Sequence, residues 1–273
     1  MKILVTGANG MLGQDLCPIL EDEYFDVIET GRNILDITDK QNIEEVFDFN
    51  KPDFVIHCAA YTNVDKAEEE KELAFKINET GTENIANACK KADIPILYIS
   101  TDYVFDGTKK GKYQPEDKTN PINVYGASKL AGENAVRKNE KHYITRTSWL
   151  YGHHGKNFVE TMISLKDKEE LKVVDDQIGC PTWTVELSNG IVKIISETMP
   201  YGTYHICGSG QTSWFGFAQK IFELYGADVN LKPCTTEEFP RKAKRPKNSV
   251  LENNRICRKW ETALKEYLEL RCE

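Results

Sequence analysis

A tyrosine and a lysine stand four residues apart in the segment Val124-Tyr125-Gly-Ala-Ser-Lys129. On a helix, side chains at this spacing lie on one face. A tyrosine with a pKa of about 10 is a poor acid at neutral pH. A lysine ammonium beside it favours the phenolate and lowers that pKa, so that the phenol can exchange a proton with a carbonyl or alcohol oxygen. We therefore expect Tyr125 to act as an acid–base group whose pKa is lowered by Lys129.

Hydroxyl groups stand upstream, at the end of an apolar run, in Ile99-Ser100-Thr101-Asp102. If that run is a strand, these hydroxyls reach the same cleft as the tyrosine from the sheet side. Thr101 or Ser100 could then donate a hydrogen bond to the oxygen that Tyr125 protonates.

Three glycines spaced three residues apart follow the first apolar run, in Thr6-Gly7-Ala-Asn-Gly10-Met-Leu-Gly13. Gly7 permits a sharp turn off the strand, and Gly10 removes a side chain that would keep a pyrophosphate away. Gly13 lets the following helix lie close to the sheet, with the free N–H groups of its first turn pointing at the anion. This spacing predicts a dinucleotide site.

The elements that must position these residues alternate between strand and helix up to about residue 150. Apolar runs bounded by turn residues predict strands at Ile3–Val5, Val27–Ile28, Phe54–Cys58, Ile96–Ile99 and Tyr143–Thr145. Helix-period stretches lie between them, which predicts a parallel sheet covered on both faces. The third strand ends in Ala59 and Ala60, small enough to leave room for a ribose or pyrophosphate, and His57 is interpreted as a packed strand residue.

Beyond residue 150 the alternation loosens. Helices are predicted at Asn157–Lys168, Val185–Thr198, Ser213–Tyr225 and Trp260–Leu270, with short strands near Lys172–Val174 and Tyr204–Cys207. The expected fold is an α/β, Rossmann-like doubly wound parallel sheet with a smaller, interleaved C-terminal substrate-binding lobe. Residues 1–150 would form the dinucleotide-binding domain with the catalytic groups, and residues 151–273 mainly the substrate lobe, some of its segments returning to the sheet.

Composition excludes several classes of protein. The 273 residues carry a net charge of −8, which argues against nucleic-acid binding. No apolar run approaches membrane-spanning length, and the chain enters its first strand with no room for a signal peptide, so we expect a cytoplasmic protein. Eight cysteines are scattered without a Cys-x-x-Cys pair, which favours reduced thiols; they are Cys17, Cys58, Cys89, Cys180, Cys207, Cys234, Cys257 and Cys272.

Together, six segments resemble the dTDP-4-dehydrorhamnose reductase family, a branch of the extended short-chain dehydrogenases/reductases. They are Gly-Ala-Asn-Gly-Met-Leu-Gly, Cys-Ala-Ala-Tyr-Thr-Asn-Val-Asp-Lys-Ala-Glu, Ser-Thr-Asp-Tyr-Val-Phe-Asp-Gly, Tyr-Gly-Ala-Ser-Lys, Arg-Thr-Ser-Trp-Leu-Tyr-Gly and Asp-Gln-Ile-Gly-Cys-Pro-Thr. The resemblance spans nearly the whole chain. It implies hydride delivery from a nicotinamide to the C4 carbonyl of dTDP-4-dehydro-L-rhamnose, which would give dTDP-L-rhamnose, a precursor of cell-surface polysaccharide.

The resemblance also implies roles for individual residues. Tyr125 would donate the proton, Lys129 would hold the nicotinamide ribose, and Thr101 would hydrogen-bond the carbonyl oxygen. The sugar pocket would be formed by Asp102, Val104 and Trp149. The implied cofactor-binding residues are Gly7, Asn9, Gly10, Met11, Leu12, Gly13, Arg32, Asp36, Ile37, Ala59, Ala60, Tyr61, Ser100, Tyr125 and Lys129.

The choice of cofactor and the binding of the diphosphate depend on charged residues whose surroundings the sequence leaves open. An NAD-selective site places an acid at the end of the second strand, whereas here Glu29 falls early and Arg32 could accept a 2′-phosphate. We expect NADPH, with NADH possible. Arg245, in a basic cluster, is interpreted either as a solvated cation or as a residue at the pocket rim that neutralises the sugar-nucleotide diphosphate.

Other functions share parts of this pattern. A sugar-nucleotide 4,6-dehydratase needs Asp-Glu after the threonine, but here Asp102 precedes Tyr103. Another extended short-chain sugar-nucleotide reductase or an epimerase remains an alternative. So does a non-catalytic NADP-binding subunit resembling the regulatory subunit of methionine adenosyltransferase. His153-His154 has no second pair at metal spacing and is interpreted as loop, so no metal site is predicted, and the protein is expected to be a monomer or homodimer.

Overall fold

A computed structural model describes residues 1–253 and 256–271 of the chain. Strands and helices alternate in the first half, as β1 (Lys2–Thr6), α1 (Met11–Asp22), β2 (Asp26–Thr30), α2 (Lys40–Asn50), β3 (Phe54–His57), α3 (Val64–Ala67), α4 (Lys71–Phe75), α5 (Thr82–Lys91), β4 (Ile96–Thr101), α6 (Val124–Val136) and β5 (His142–Thr147). Shorter elements follow in the second half, as β6 (Leu150–Tyr151), α7 (Phe158–Ser164), β7 (Leu171–Val174), β8 (Ile178–Gly179), β9 (Thr182–Trp183), α8 (Thr184–Ser196), β10 (Gly202–His205), β11 (Thr212–Ser213), α9 (Trp214–Tyr225), β12 (Leu231–Cys234) and α10 (Trp260–Leu270).

Six strands form one parallel sheet in the order β10-β5-β4-β3-β1-β2. The chain leaves β1 for β2 on one side and returns to β3 on the other. The strand order therefore reverses between β1 and β3. Ligands of doubly wound sheets bind outside the carboxyl ends of the strands at such a reversal. The predicted α/β fold with a parallel sheet is confirmed.

Apolar side chains cover both faces of this sheet. On one face α1 and α8 pack together through residues such as Leu16 and Ile191, which are fully buried. On the other face α2, α5 and α6 bury residues such as Ile43 and Ile85. Burying an aliphatic side chain of this size contributes about 1.5–3 kcal/mol. These layers hold the ends of the strands, and therefore the cleft, in fixed positions.

The second half forms its own apolar cluster and also returns to the sheet. Its predicted helices are all present, although the first is shorter than expected, Phe158–Ser164. They surround a buried cluster that includes Trp183, Phe217 and Tyr267. Strand β10 pairs with β5, and α8 packs on α1, so both contribute to the sheet region. The domain boundary at residue 150 stays a prediction.

The helix-period stretch between Glu69 and Lys91 is not one continuous helix. A π-helical segment, Lys76–Gly81, separates α4 from α5. It contains the buried Asn78, whose side chain accepts from the Tyr61 N–H at 2.8 Å and donates to the Ser128 hydroxyl at 2.9 Å. A π-bulge is frequent at functional sites, and this one fastens the loop after β3 to α6.

Residues 1–253 and 256–271 contain neither a membrane-spanning helix nor a cluster of metal ligands. No helix there is long and apolar enough to cross a membrane. No group of three or more His, Cys, Asp or Glu side chains in that part of the chain could hold a metal ion. The described cysteines are free thiols, as predicted. Cys272 lies outside the described residues.

Candidate active site

The glycine turn after β1 forms an open cradle at the start of α1. Gly7 has a φ of 68°, and a Cβ on it would lie 2.8 Å from the backbone of Ala59. A Cβ on Gly13 would lie 2.5 Å from Ala8 Cα, so only glycine lets α1 approach this closely. Gly10 is the N-cap residue of α1, and within the described chain no side chain caps that end. Free N–H groups and the positive end of the helix dipole fit a pyrophosphate here.

A cleft of about 710 Å³ runs from this cradle across the carboxyl ends of the strands. Most of the residues predicted for cofactor or substrate line it: Gly7, Gly10, Met11, Leu12, Gly13, Arg32, Asp36, Ile37, Ala59, Ala60, Ser100, Thr101, Asp102, Tyr125, Lys129 and Trp149. The cleft is therefore continuous from the glycine turn to the hydroxyl groups at the end of β4. His57 lies beneath it, fully buried and hydrogen-bonded to Thr6 and Thr82, as expected for a packed strand residue.

At the end of β2, the charged side chain that lines the cleft is Arg32, a cation, and not the carboxylate Glu29. Arg32 lines the cleft and is exposed, whereas Glu29 is not among the lining residues. Glu29 lies near Cys17 on α1, whose pKa is raised mainly by burial and further by Glu29. Asp36 lies farther along the same wall, and its carboxylate accepts hydrogen bonds from the Thr38 N–H and hydroxyl. These bonds, with a smaller contribution from Arg32, lower the pKa of Asp36. The positive charge of Arg32 is complementary to a 2′-phosphate.

Tyr125 and Lys129 lie on one face of α6, beside the end of β4. Asn123 starts the helix by accepting a hydrogen bond from the Gly126 N–H at 2.7 Å. Gly126 and Gly132 bring the helix close, since a Cβ on Gly132 would meet Asn78 and Tyr98. The Tyr125 hydroxyl is thereby within hydrogen-bonding reach of Thr101. The Thr101 hydroxyl donates to Asp102 Oδ1 at 3.0 Å.

The pKa of Tyr125 is raised, whereas the sequence predicted that Lys129 would lower it. Burial raises it well above the usual value, Asp102 raises it further, and only the hydrogen bond with Thr101 lowers it. Lys129 is not among these causes, because its Nζ is directed to the Ile99 carbonyl at 2.6 Å and lies over the Tyr98 ring at 4.1 Å. The expected lowering of the Tyr125 pKa by Lys129 is therefore wrong for this arrangement. Tyr125 is a protonated phenol at neutral pH.

Burial also shifts the pKa values of Lys129 and Asp102. Lys129 is 3% exposed, and desolvation lowers its pKa to about 7, opposed by the negative charge of Glu133. Burial raises the pKa of Asp102 to about 7, while hydrogen bonds from Ser249 and Thr101 lower it. Groups poised near neutrality inside a cleft are typical of functional sites.

Behind these groups, a buried ion pair stiffens the ends of β4 and β5. Arg146 binds Glu133 through two parallel hydrogen bonds of 2.8 Å, and both side chains are at most 1% exposed. The Ser100 hydroxyl donates to the same carboxylate at 2.6 Å. Ser100 therefore lines the cleft while its hydroxyl is engaged away from it.

On the far side of the cleft, two indole rings form a wall. Trp149 and Trp214 stack with ring centroids 3.6 Å apart and planes 6° from parallel. Both line the cleft, together with the exposed Lys156. The cleft thus joins a phosphate cradle, the Tyr125 phenol and an aromatic wall.

Comparison with known proteins identifies the family. A family model described as the RmlD substrate binding domain matches residues 1–271. The chain belongs to this family.

Relatives of similar sequence match nearly the whole chain, and two solved structures among them share its fold. A dTDP-4-dehydrorhamnose reductase of Clostridium acetobutylicum has 49% identity and a TM-score of 0.97, with 100% of both chains covered. A dTDP-4-dehydrorhamnose reductase of Bacillus anthracis, solved in complex with NADP, has 43% identity and a TM-score of 0.95, covering 98% of this chain and 99% of that one. The spore coat polysaccharide biosynthesis protein SpsK of Bacillus subtilis is 41% identical, over 99% of this chain and 98% of its own length.

In this member of the RmlD substrate binding domain family, four residues predicted for the site lie outside the cleft lining. Val104 is fully buried in a core cluster with Phe105 and Tyr113, so it cannot form a surface of the sugar pocket. The Tyr61 hydroxyl donates to Glu70 at 2.8 Å instead of entering the cleft. Asn9 is exposed beside the glycine turn, with its amide close to Gly31.

Arg245, the fourth of these residues, is engaged elsewhere. Its guanidinium forms two hydrogen bonds with the Asp65 carboxylate, of 2.5 and 2.8 Å, and a third with the Ala243 carbonyl. An arginine held in this way has few donors left for a diphosphate. The expectation that Arg245 neutralises the substrate from the pocket rim is therefore not supported by its contacts.

The structure also adds cleft residues that the sequence analysis did not single out. Chief among them are Lys156 and Trp214, which come from the substrate lobe. The predicted helix at Ser213–Tyr225 contained the signal for Trp214, a large aromatic residue in its first turn. Nothing local indicated that this turn faces Trp149. His153 and His154 lie in a loop, as predicted, with His153 stacked on Tyr267.

Proposed function

We propose that the protein reduces the C4 ketone of dTDP-4-dehydro-L-rhamnose to dTDP-L-rhamnose, using NADPH. The observation that carries this proposal is the junction of the glycine cradle with Thr101, Tyr125 and Lys129 in one cleft. The family supports the substrate, and so do the relatives at 43% and 49% identity, which are both dTDP-4-dehydrorhamnose reductases. Arg32 and the NADP complex of the relative support NADPH, and use of NADH remains a prediction.

NADPH bound in this cleft would supply the hydride. The cradle formed by Gly7, Gly10 and Gly13 would hold its pyrophosphate, and Arg32 its 2′-phosphate. Small residues after β3, Ala59 among them, leave space for the ribose. This assignment rests on a cradle that Cβ atoms would fill and on a helix end that no described side chain caps.

Tyr125 holds the proton that the substrate oxygen needs as it becomes an alkoxide. Because burial and Asp102 keep the pKa of Tyr125 high, the phenol is protonated at neutral pH and can transfer its proton to the more basic alkoxide. Thr101 orients the Tyr125 hydroxyl, and its own O–H, which points at Asp102 Oδ1, must turn to reach the substrate oxygen. Lys129, with further N–H donors beyond its bond to Ile99, can hold the nicotinamide ribose.

Substrate-dependent loss of NADPH absorbance, measured with purified protein and dTDP-4-dehydro-L-rhamnose, tests the proposal. Tyr125→Phe should reduce kcat by about 10²–10⁴-fold, because it removes the general acid. Its affinity for NADPH should stay unchanged. The matched control is Tyr113→Phe, which removes a buried hydroxyl outside the cleft. Full activity of Tyr125→Phe would refute the assignment of the acid.

Other results of the same assay would favour the alternatives. Tightly retained NAD without net oxidation of NADPH would favour an epimerase. No oxidation together with tight binding to a partner enzyme would favour a regulatory subunit. A monomer or homodimer in the cytoplasm remains our expectation for the assembly and location of the protein.

A further inference from the structure

Trp149, the predicted sugar-facing residue, occupies a constrained position between β5 and β6. Its φ of 46° lies in the left-handed region, which a bulky residue adopts only when its surroundings require it. Its indole lies against the backbone of Gly179, where a Cβ would come within 2.5 Å of Nε1. Backbone conformation and this close approach place the ring at the cleft.

Trp214 covers one face of that indole. The two rings are 3.6 Å apart and nearly parallel, so the sugar has only the rest of the Trp149 surface to pack against. Phe158 packs on Trp214 in turn, with centroids 4.6 Å apart. The stack therefore continues from the cleft into the aromatic core of the substrate lobe.

Hydrogen bonds from the segment before β8 fix Trp214. Its Nε1–H donates to Gln177 Oε1 at 3.2 Å, and Gln177 Nε2 donates to the Thr236 hydroxyl at 3.0 Å. Ser213, the N-cap residue of α9, directly precedes Trp214, and its hydroxyl donates to Asp175 Oδ1 at 2.5 Å. Ring stacking and these bonds leave Trp214 a single orientation.

We propose that Trp214 is a positioning residue for the sugar nucleotide, which acts by stacking on Trp149 and fixing the plane of the indole that the deoxysugar packs against. The inference rests on the proposed function. It differs from direct recognition because Trp214 acts through Trp149. A rigid aromatic wall avoids the cost of ordering a mobile side chain when the substrate binds.

Steady-state kinetics of Trp214→Ala should show a selective loss of sugar-nucleotide binding. Freeing one side chain should raise the KM for dTDP-4-dehydro-L-rhamnose about 3–10-fold, or about 0.7–1.4 kcal/mol. The KM for NADPH and kcat should stay within about twofold, because the substitution weakens binding of the sugar nucleotide equally in the ground state and the transition state. Trp214→Phe, which keeps an aromatic ring, should recover most of the affinity. Phe215→Ala is the matched control on the same helix, since Phe215 does not line the cleft.

A double-mutant cycle separates positioning from direct contact. If Trp214 acts through Trp149, then Trp214→Ala should add nothing to the KM of Trp149→Ala. Additive effects would overturn the positioning role. Circular dichroism gives a readout without substrate, because closely stacked indoles produce an exciton couplet in the far ultraviolet. The couplet should vanish in either tryptophan variant and persist in Phe215→Ala.

The outcomes distinguish this inference from the proposed function. An active wild type with an unchanged sugar-nucleotide KM in Trp214→Ala would refute the role of Trp214 alone. A wild type without the couplet would refute the stack itself. A wild type unable to reduce dTDP-4-dehydro-L-rhamnose would refute the proposed function, and this inference with it.

Discussion

Lys129 should make the folded protein less stable at neutral pH than it would be with an apolar residue there. Burial lowers the Lys129 pKa from 10.5 to about 7. At about 1.4 kcal/mol for each pH unit between these values, the cost near pH 7 is about 4–5 kcal/mol. Lys129→Met removes this cost but also the hydrogen bond to the Ile99 carbonyl, a loss of about 1–3 kcal/mol. The variant should therefore be about 1–4 kcal/mol more stable at pH 7, and inactive.

The sign of the pH dependence makes the prediction specific. Between pH 7 and 10.5 the unfolded chain holds the Lys129 proton while the folded chain has lost it, so wild-type stability rises with pH in this window. The variant lacks that dependence. Its advantage should shrink by about 1.4 kcal/mol for each pH unit and reverse between about pH 8 and 10, where the remaining burial cost of the wild type falls below the value of the lost hydrogen bond.

Urea unfolding of cofactor-free wild type and variant at pH 7, 8 and 9 measures this difference, because groups common to both proteins cancel. The matched control is Lys91→Met, which replaces an exposed lysine and should change stability by no more than about 0.5 kcal/mol at every pH. A variant less stable than wild type at pH 7 would refute the reasoning. A difference in unfolding free energy between variant and wild type that does not change with pH would also refute it, since it would mean that Lys129 is hydrated and charged.

Three further predictions concern the cations near the cleft. Arg32→Ala should weaken NADPH binding about 5–30-fold and leave NADH unchanged, because one solvent-screened, charge-assisted contact is lost; KM values for both cofactors measure it. Lys156→Ala should raise the KM for the sugar nucleotide severalfold, more so at low salt, because Lys156 is an exposed cation of the substrate lobe that lines the cleft; a KM independent of ionic strength would contradict this. Arg245→Gln should leave that KM unchanged yet lower the melting temperature, because it strands the Asp65 carboxylate.

Local sequence was sufficient to predict what depends on the backbone and on helix spacing. The glycine cradle follows from positions where a Cβ would overlap a neighbouring backbone, and such positions admit little except glycine. Tyr125 and Lys129 share a face because they lie four apart on one helix. The strands of the sheet were recognisable from apolar runs, since a parallel sheet is buried on both faces.

Sequence reasoning failed where a contact joins distant parts of the chain. Arg245 is an ordinary basic residue until its partner is known, and that partner, Asp65, lies 180 residues away. Val104 sits beside the catalytic segment in sequence, but a cluster containing Val250 and Leu251 buries it. The stack of Trp149 on Trp214 likewise depends on how the substrate lobe meets the sheet.

The raised pKa of Tyr125 determines which form of this side chain is populated at neutral pH. Oxidising an alcohol requires a phenolate that removes a proton, and a lysine ammonium beside the phenol would provide it by lowering the pKa. In this structure burial and Asp102 raise the Tyr125 pKa, while Lys129, itself close to neutral at pH 7, is directed at Ile99. The phenol therefore keeps its proton, and because a raised pKa also makes it a weaker acid, it transfers that proton only to a strongly basic oxygen such as the alkoxide left by hydride addition. The rate of ketone reduction should therefore be insensitive to ionisation of Tyr125 across neutral pH, because the phenol stays protonated there.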